Sequence, residues 1–378
     1  MNNKRTGQEP SGVLCPQSRE GWCKQMGIKI REKILEIPLI QGGMGVGISL
    51  GRLAGAVAAE GAMGTISAAG VGFREPDFES HMTDANVRAL KKEIARAKKL
   101  SRGRGMIAVN IMTAMTHFEE TARAAVEAGA DAIVSGAGLP KNLPEFTRGS
   151  GTAIAPVVSG GRSAKVICRL WDRHYRTAPD FVVLEGSRAG GHLGFSAEDL
   201  AAGTCGTLEE LLTEVKNEIR PFEEKYEKEI PVFVAGGIRS ADEISGFLRR
   251  GAAGVQLATA FIGTEECDAT PEYKKIMAEA GNDQIRIVKS PVGMPGRALE
   301  TPLIRRVAEQ GRIQPSSCRR CIHTCNPLET VYCISNALIA AWKGDYENGL
   351  FFCGDDVECI RQPRPVRKLI QELFPLHA

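Results

Sequence analysis

A chain of 378 residues, with 48 basic and 45 acidic side chains interleaved to a net charge of +3, can bury a large core. It offers no electrostatic footprint for nucleic acid or anionic lipid, so a small-molecule partner is expected. The polar opening from Met1 to Gly27 lacks the apolar heart of a signal peptide, and no later apolar run is long enough to span a bilayer, which points to a cytoplasmic protein without membrane attachment. Eleven cysteines in so large a chain favour reduced thiols or a metal site over a disulfide framework.

Residues 1–27 read as an N-terminal extension. Ile37 to Gln41 is then an apolar strand running into Gly42-Gly43-Met44-Gly45, and the small residues from Leu50 to Glu60 form a helix that Gly61 ends. Ala62 to Ala68 is the second strand and Asp84 to Leu100 a charged amphipathic helix. Met106 to Met112, carrying Asn110, is the third strand, followed by a helix from His117 to Ala128. Asp131 to Ser135 and Ala153 to Val158 are strands four and five. The next helix, Ser163 to Arg176, places Ala164, Ile167, Leu170 and Trp171 on one face at helical spacing.

Strand six is Phe181 to Glu185, four apolar residues with two valines suited to burial on both faces. The glycines after it, Gly186, Gly190, Gly191 and Gly194, bracket His192, which is expected at the C-terminal end of this strand. An imidazole there, with room beside it for a ligand, can move a proton near neutral pH; otherwise it merely fills a turn. Thr207 to Lys228 is a long helix, Pro231 to Ala235 strand seven, Ala241 to Arg250 its helix, and Val255 to Phe261 strand eight.

About eight strand-helix units without interruption define an α/β fold of the TIM-type (β/α)8 barrel, with an open sheet of similar content as the alternative. Closure would bring Gln41, Asn110, Ser135, Ser159, His192, Gly236 and Thr259 to one rim. Glycine-exposed N–H groups at Gly236 and Gly237, with a helix start behind them and the last strand beside them, suit a phosphate.

The barrel domain is expected over residues 28–264 and a cap closing its mouth over 265–317. Within and beyond the cap are a Gly/Pro-rich loop from Ser290 to Ala298, a helix from Thr301 to Gln310, and a Cys-rich helical extension over 318–378 with a helix from Tyr332 to Trp342. Cys318, Cys321, Cys325 and Cys333 have a spacing similar to that of some iron-sulfur flavoenzymes, and His323 could join a zinc site. Cys333 follows closer than in those enzymes, so free thiols without metal are the expectation.

Five segments in register resemble the nitronate monooxygenase family, formerly 2-nitropropane dioxygenases, with flavin-dependent enoyl-ACP reductases of the second type as relatives. They are Pro38 to Gly45, Val109 to Met112, Ala189 to Gly194, Ala235 to Ile238 and Gly293 to Ala298. The resemblance implies FMN on the barrel rim. Gln41, Gly42, Gly43 and Met44 would border the flavin ring; Asn110 and Lys165 would lie near its polar edge, with Gly191 alongside. Gly236, Gly237, Gln256, Ala258 and Thr259 would take the phosphate, and His192 matches the catalytic histidine. Two departures stand out: many family members have Pro at Gly43, and reductase relatives often have Glu at Arg188.

The implied activity is FMN-dependent oxidation of nitronates or nitroalkanes by oxygen, with His192 transferring a proton. The alternatives are an NAD(P)H-dependent reductase of activated double bonds and a flavin-binding redox sensor acting through its cysteines. NAD(P)H is a candidate partner only in the reductase reading. A homodimer is the candidate assembly, the oligomeric state being left open.

Overall fold

Short apolar runs that are buried on both faces close on themselves in this protein. The structure, a computed structural model, describes residues 27–375, so the expected N-terminal extension lies outside it except for Gly27. In chain order the strands are β1 (Ile28–Ile30), β2 (Lys33–Leu35), β3 (Leu39–Gln41), β4 (Met63–Ser67), β5 (Met106–Met112), β6 (Ala132–Gly136) and β7 (Ala153–Val158). There follow β8 (Val182–Glu185), β9 (Gly191–His192), β10 (Val232–Ala235), β11 (Gly254–Leu257), β12 (Ile285–Lys289) and β13 (Pro295–Leu299). Eight of them, β3 to β8 with β10 and β11, form a closed parallel barrel in chain order, β11 pairing with β3. The expected TIM-type barrel is therefore the observed fold, and an open sheet is excluded.

Alternation along each strand divides the core in two. Ile40, Met63, Ala108, Val134, Ala155, Val183 and Phe233 fill the barrel interior, while Leu39, Ile66, Val109, Ile133, Ile154, Leu184, Val234 and Val255 meet the surrounding helices. Phe181 and Phe233 lie edge to face at 5.7 Å, both fully buried, which by area alone stabilises each by roughly 2–3 kcal/mol. Capping boxes start the helices at 208–226 (Thr207 with Glu210) and 241–249 (Ser240 with Glu243). Such caps contribute about 1 kcal/mol each and fix where the chain turns away from the rim.

The antiparallel hairpin β1–β2 has no counterpart in the expected elements. Its Ile30 and Leu35 complete the interior cluster, and Arg31 pins it through Asp180 Oδ2 (2.9 Å) and the Ser150 carbonyl (2.9 Å). It thus plugs the end of the barrel opposite the rim.

Other differences concern the last strand and the region after it. The apolar run Val255 to Phe261 does not stay extended: β11 stops at Leu257 and a short helix, Thr259–Ile262, buries Phe261. An apolar run has no period that tells strand from buried helix. The expected loop from Ser290 to Ala298 instead runs into β13, with Pro295 as its first residue, where a missing N–H costs no ladder bond. β13 is the middle strand of a second sheet, β12-β13-β9. A helix at Val366–Leu373, also unforeseen, packs back on the helices 51–59 and 241–249. Among the described residues no helix is long and apolar enough to cross a membrane.

Candidate active site

At the C-terminal rim the strand ends, the second sheet and residues 352–356 enclose a cavity of about 530 Å³. Gly42, Gly43 and Met44 leave β3 and form one wall. A Cβ at position 43 would stand 2.4 Å from Asn110 Cβ, so in this chain glycine is the residue that lets Asn110 approach, and proline would not fit. Asn110 itself faces the cavity from β5, its Nδ2 donating to the Val134 carbonyl at 3.3 Å.

The opposite end is a cradle. Gly236 (φ 99°) and Gly237 (φ 81°) are both left-handed, and a Cβ on either would come within 2.9 Å of Ala189 N or Arg188 Nε. They lead through Arg239 to the capped helix 241–249, and Gln256, Ala258 and Thr259 complete the cradle from β11. Backbone N–H groups held open by left-handed glycines beside a helix start fit an anionic phosphate.

Two titratable groups line the cavity between these ends. The side chain of Glu185, the last residue of β8, has no hydrogen bond or ion pair among the described residues, and burial raises its carboxyl to about 8. At neutral pH it is therefore protonated and available as a donor. If a cofactor uses that donor, its dissociation constant should be constant below pH 8 and rise about tenfold per pH unit above it as the carboxyl ionises. Titrating FMN fluorescence across pH checks this, and Glu185→Gln should flatten the profile.

His192 stands in β9, seven positions past Glu185, and not at the end of β8 where it was expected. The chain turns at Gly186–Ala189 and then pairs with β13, Gly296 opposite His192. His192 Nε2 shares a hydrogen bond of 2.7 Å with Ser290 Oγ, and its ring meets Phe352 edge-on at 5.1 Å. Burial lowers its pKa to about 4, which keeps the imidazole neutral, the form that can accept a proton. A rate that depends on this neutral form should show no acid-side loss until pH falls towards 4, a profile readable in kcat/KM.

The remaining residues named from the sequence divide. Gly42, Gly43, Met44, Asn110, Gly191, His192, Gly236, Gly237, Gln256, Ala258 and Thr259 line one cavity. Gln41 and Lys165 do not. Gln41 is wholly buried beneath the rim, bonded to Thr65 N (3.0 Å) and the Gly42 carbonyl. Lys165 lies on the outer helix 161–175 and pairs with Glu218 at 3.0 Å, because its side chain leaves the helix towards the helix 208–226. Arg188, the departure from the reductase pattern, is matched by Asp355, which also binds Arg239 at 3.0 Å.

Sequence reading gave no role to Glu185, Ser290, Phe352 or Asp355. Only Glu185 carried a signal, an acid closing a buried strand at the rim. The four cysteines of the 318–333 segment are free thiols, Cys318 exposed and accepting a bond from Arg320 N at 3.3 Å. No three His, Cys, Asp or Glu side chains among the described residues are grouped as metal ligands.

A closed parallel barrel with a glycine-built anion cradle and an unpaired acid and a histidine in one rim cavity is the design of a TIM-barrel enzyme. The nitronate monooxygenase family profile matches residues 29–375, and the chain belongs to that family of oxidoreductases. A probable nitronate monooxygenase of Staphylococcus saprophyticus is 30% identical over 132 residues, 34% of each chain. The chain thus aligns with only about a third of that relative's length. Among solved structures, FabK of Thermotoga maritima superposes with a TM-score of 0.67 at 24% identity, covering 90% of this chain and 92% of that one. Nitroalkane oxidase of Streptomyces ansochromogenes gives 0.68 at 20%, covering 90% and 95%. At these identities the two structures show the shared fold.

Proposed function

We propose that this chain is an FMN-dependent oxidoreductase that oxidises nitronates or nitroalkanes with oxygen, His192 removing or positioning the acidic α-proton. The observation that carries the reading is a neutral, Ser290-bonded imidazole in the same cavity as a glycine cradle suited to phosphate. FMN fits that cavity by its chemistry. Its phosphate would be held by Gly236, Gly237 and the Ala258–Thr259 turn, and its polar ring edge would have Asn110 and the protonated Glu185 as partners. When bound it supplies the two-electron chemistry.

The protein's own groups do the rest. Phe352, whose ring meets His192 edge-on, covers one side of the imidazole with apolar surface. His192 in its neutral form takes the α-proton, and Ser290 holds the ring against rotation. The family membership supports this assignment over a redox sensor acting through cysteines.

The test is an anaerobic titration of the purified yellow protein with a nitronate, NADH and NADPH, following flavin absorbance. Bleaching by the nitronate is expected. Bleaching only by a pyridine nucleotide would replace this reading with a reductase of activated double bonds, and a protein that cannot be loaded with FMN would overturn both.

A further inference from the structure

We propose that Arg297 is a positioning residue for proton transfer, holding the loop that carries His192 in its working shape; the inference rests on the role given to His192 above. The Gly293-Met294-Pro295-Gly296-Arg297-Ala298 segment is one of the five stretches that carry the family resemblance, yet none of its residues lines the cavity. What it touches is the loop. Arg297 Nη1 donates to the Ser187 carbonyl at 2.8 Å and to the Ala189 carbonyl at 2.5 Å.

Elsewhere the loop is held at its start, where Gly186 N donates to the Ala235 carbonyl at 2.8 Å, and at Arg188, which pairs with Asp355 and whose carbonyl accepts Asp355 N at 3.3 Å; the carbonyls of Ser187 and Ala189 are left to Arg297. The loop leaves β8 at Glu185, turns through an Ala189 N to Gly186 O bond of 3.1 Å, and takes a left-handed step at Gly191 (φ 73°). β9 is two residues long, too short to fix its own register. Its partner is the strand that bears Arg297: Gly296 opposes His192, Arg297 opposes Gly191, and Leu193 N donates to the Pro295 carbonyl at 2.8 Å. One strand therefore fixes the histidine's backbone by pairing and the preceding turn by a charge-assisted clamp. Charged donors make the stronger and shorter bonds. The clamp is anchored in turn, since the Arg297 carbonyl accepts Cys353 N at 3.2 Å.

Proton transfer is sensitive to such placement, because a displacement of about 1 Å at the reacting groups can cost on the order of 10²-fold. The experiment compares FMN-loaded wild type with Arg297→Met, Arg297→Lys, His192→Ala and the double variant Arg297→Met/His192→Ala. It reads kcat and KM on a neutral nitroalkane and on its preformed nitronate, and hydrogen exchange of residues 186–193. Arg297→Met should lose about 10–10²-fold in kcat on the nitroalkane, less on the nitronate, with KM and flavin content changed by less than about twofold. Arg297→Lys should recover part of the loss, its ammonium reaching the same carbonyls. The double variant should be no slower than His192→Ala, as expected of two residues acting through one step.

Exchange should rise in 186–193 and not in β10 or β11. Losses that multiply in the double variant, or that are equal on both substrates, would overturn the inference, as would unaltered loop exchange. Should Arg297→Met not accumulate, Arg297→Lys with and without His192→Ala carries the same comparison. Full turnover by His192→Ala instead refutes the role of His192, and the exchange data then judge the clamp alone.

Discussion

His192→Ala is expected to lower turnover of a neutral nitroalkane by on the order of 10²–10⁴-fold while leaving flavin content and fold unchanged. The separation follows from geometry. His192 is held by β13 and Ser290, elements outside the barrel, whereas the anion cradle is built from the ends of β10 and β11. Removing the imidazole deletes one hydrogen bond and one ring contact with Phe352 and touches no backbone donor of the cradle. The loss should be smaller for a preformed nitronate, which has already given up its proton. Steady-state rates on the two substrates, with the flavin spectrum as the loading control, check this. Equal activity of variant and wild type on both would refute His192 as the proton acceptor.

Gly237→Val is expected to weaken FMN binding by roughly 10²–10⁴-fold. A β-branched residue at φ 81° carries a conformational cost of about 1–3 kcal/mol. Its Cβ would also fall 3.0 Å from the Arg188 Cβ and Cδ, so the cradle must open, and a lost charge-assisted bond to phosphate costs about 1.5–3 kcal/mol more. At 1.4 kcal/mol per tenfold, the sum gives the stated range. Gly246→Ala is the control. That glycine lies within the helix 241–249, where an added Cβ would meet only Arg250 Nη1 at 3.5 Å, so affinity should hold and stability rise slightly. Fluorescence titration of the apoprotein with FMN measures both.

The barrel was legible because most of its strands are buried apolar runs followed by glycine and then by a helix with an apolar stripe. Met106–Met112 and Ala153–Val158 are bounded in the structure as the residues suggest. The cradle was legible for the same reason, since Gly236 and Gly237 punctuate a strand end. What escaped has no local period. β9 is two residues paired with a strand about a hundred positions away, and Ser290 reaches His192, and Phe352 the cavity, from segments whose composition speaks only of loops. Lys165 is placed beside the flavin by the resemblance alone, and only its partner Glu218 shows which way its side chain points.

The strap at Phe352 to Asp355 bears on how the protein comes into being. Asp355 closes on Arg188 from 167 positions downstream, and Gly354 N donates to Thr259 Oγ1 at 2.9 Å, so the cradle is whole only when this strap is in place. At the ribosome's pace of about 5–20 residues per second, the barrel rim waits on the order of ten seconds or more for its last wall. The cradle can offer a ligand all of its walls only after that interval, which ties the survival of unfinished chains to the protease resistance of an open rim.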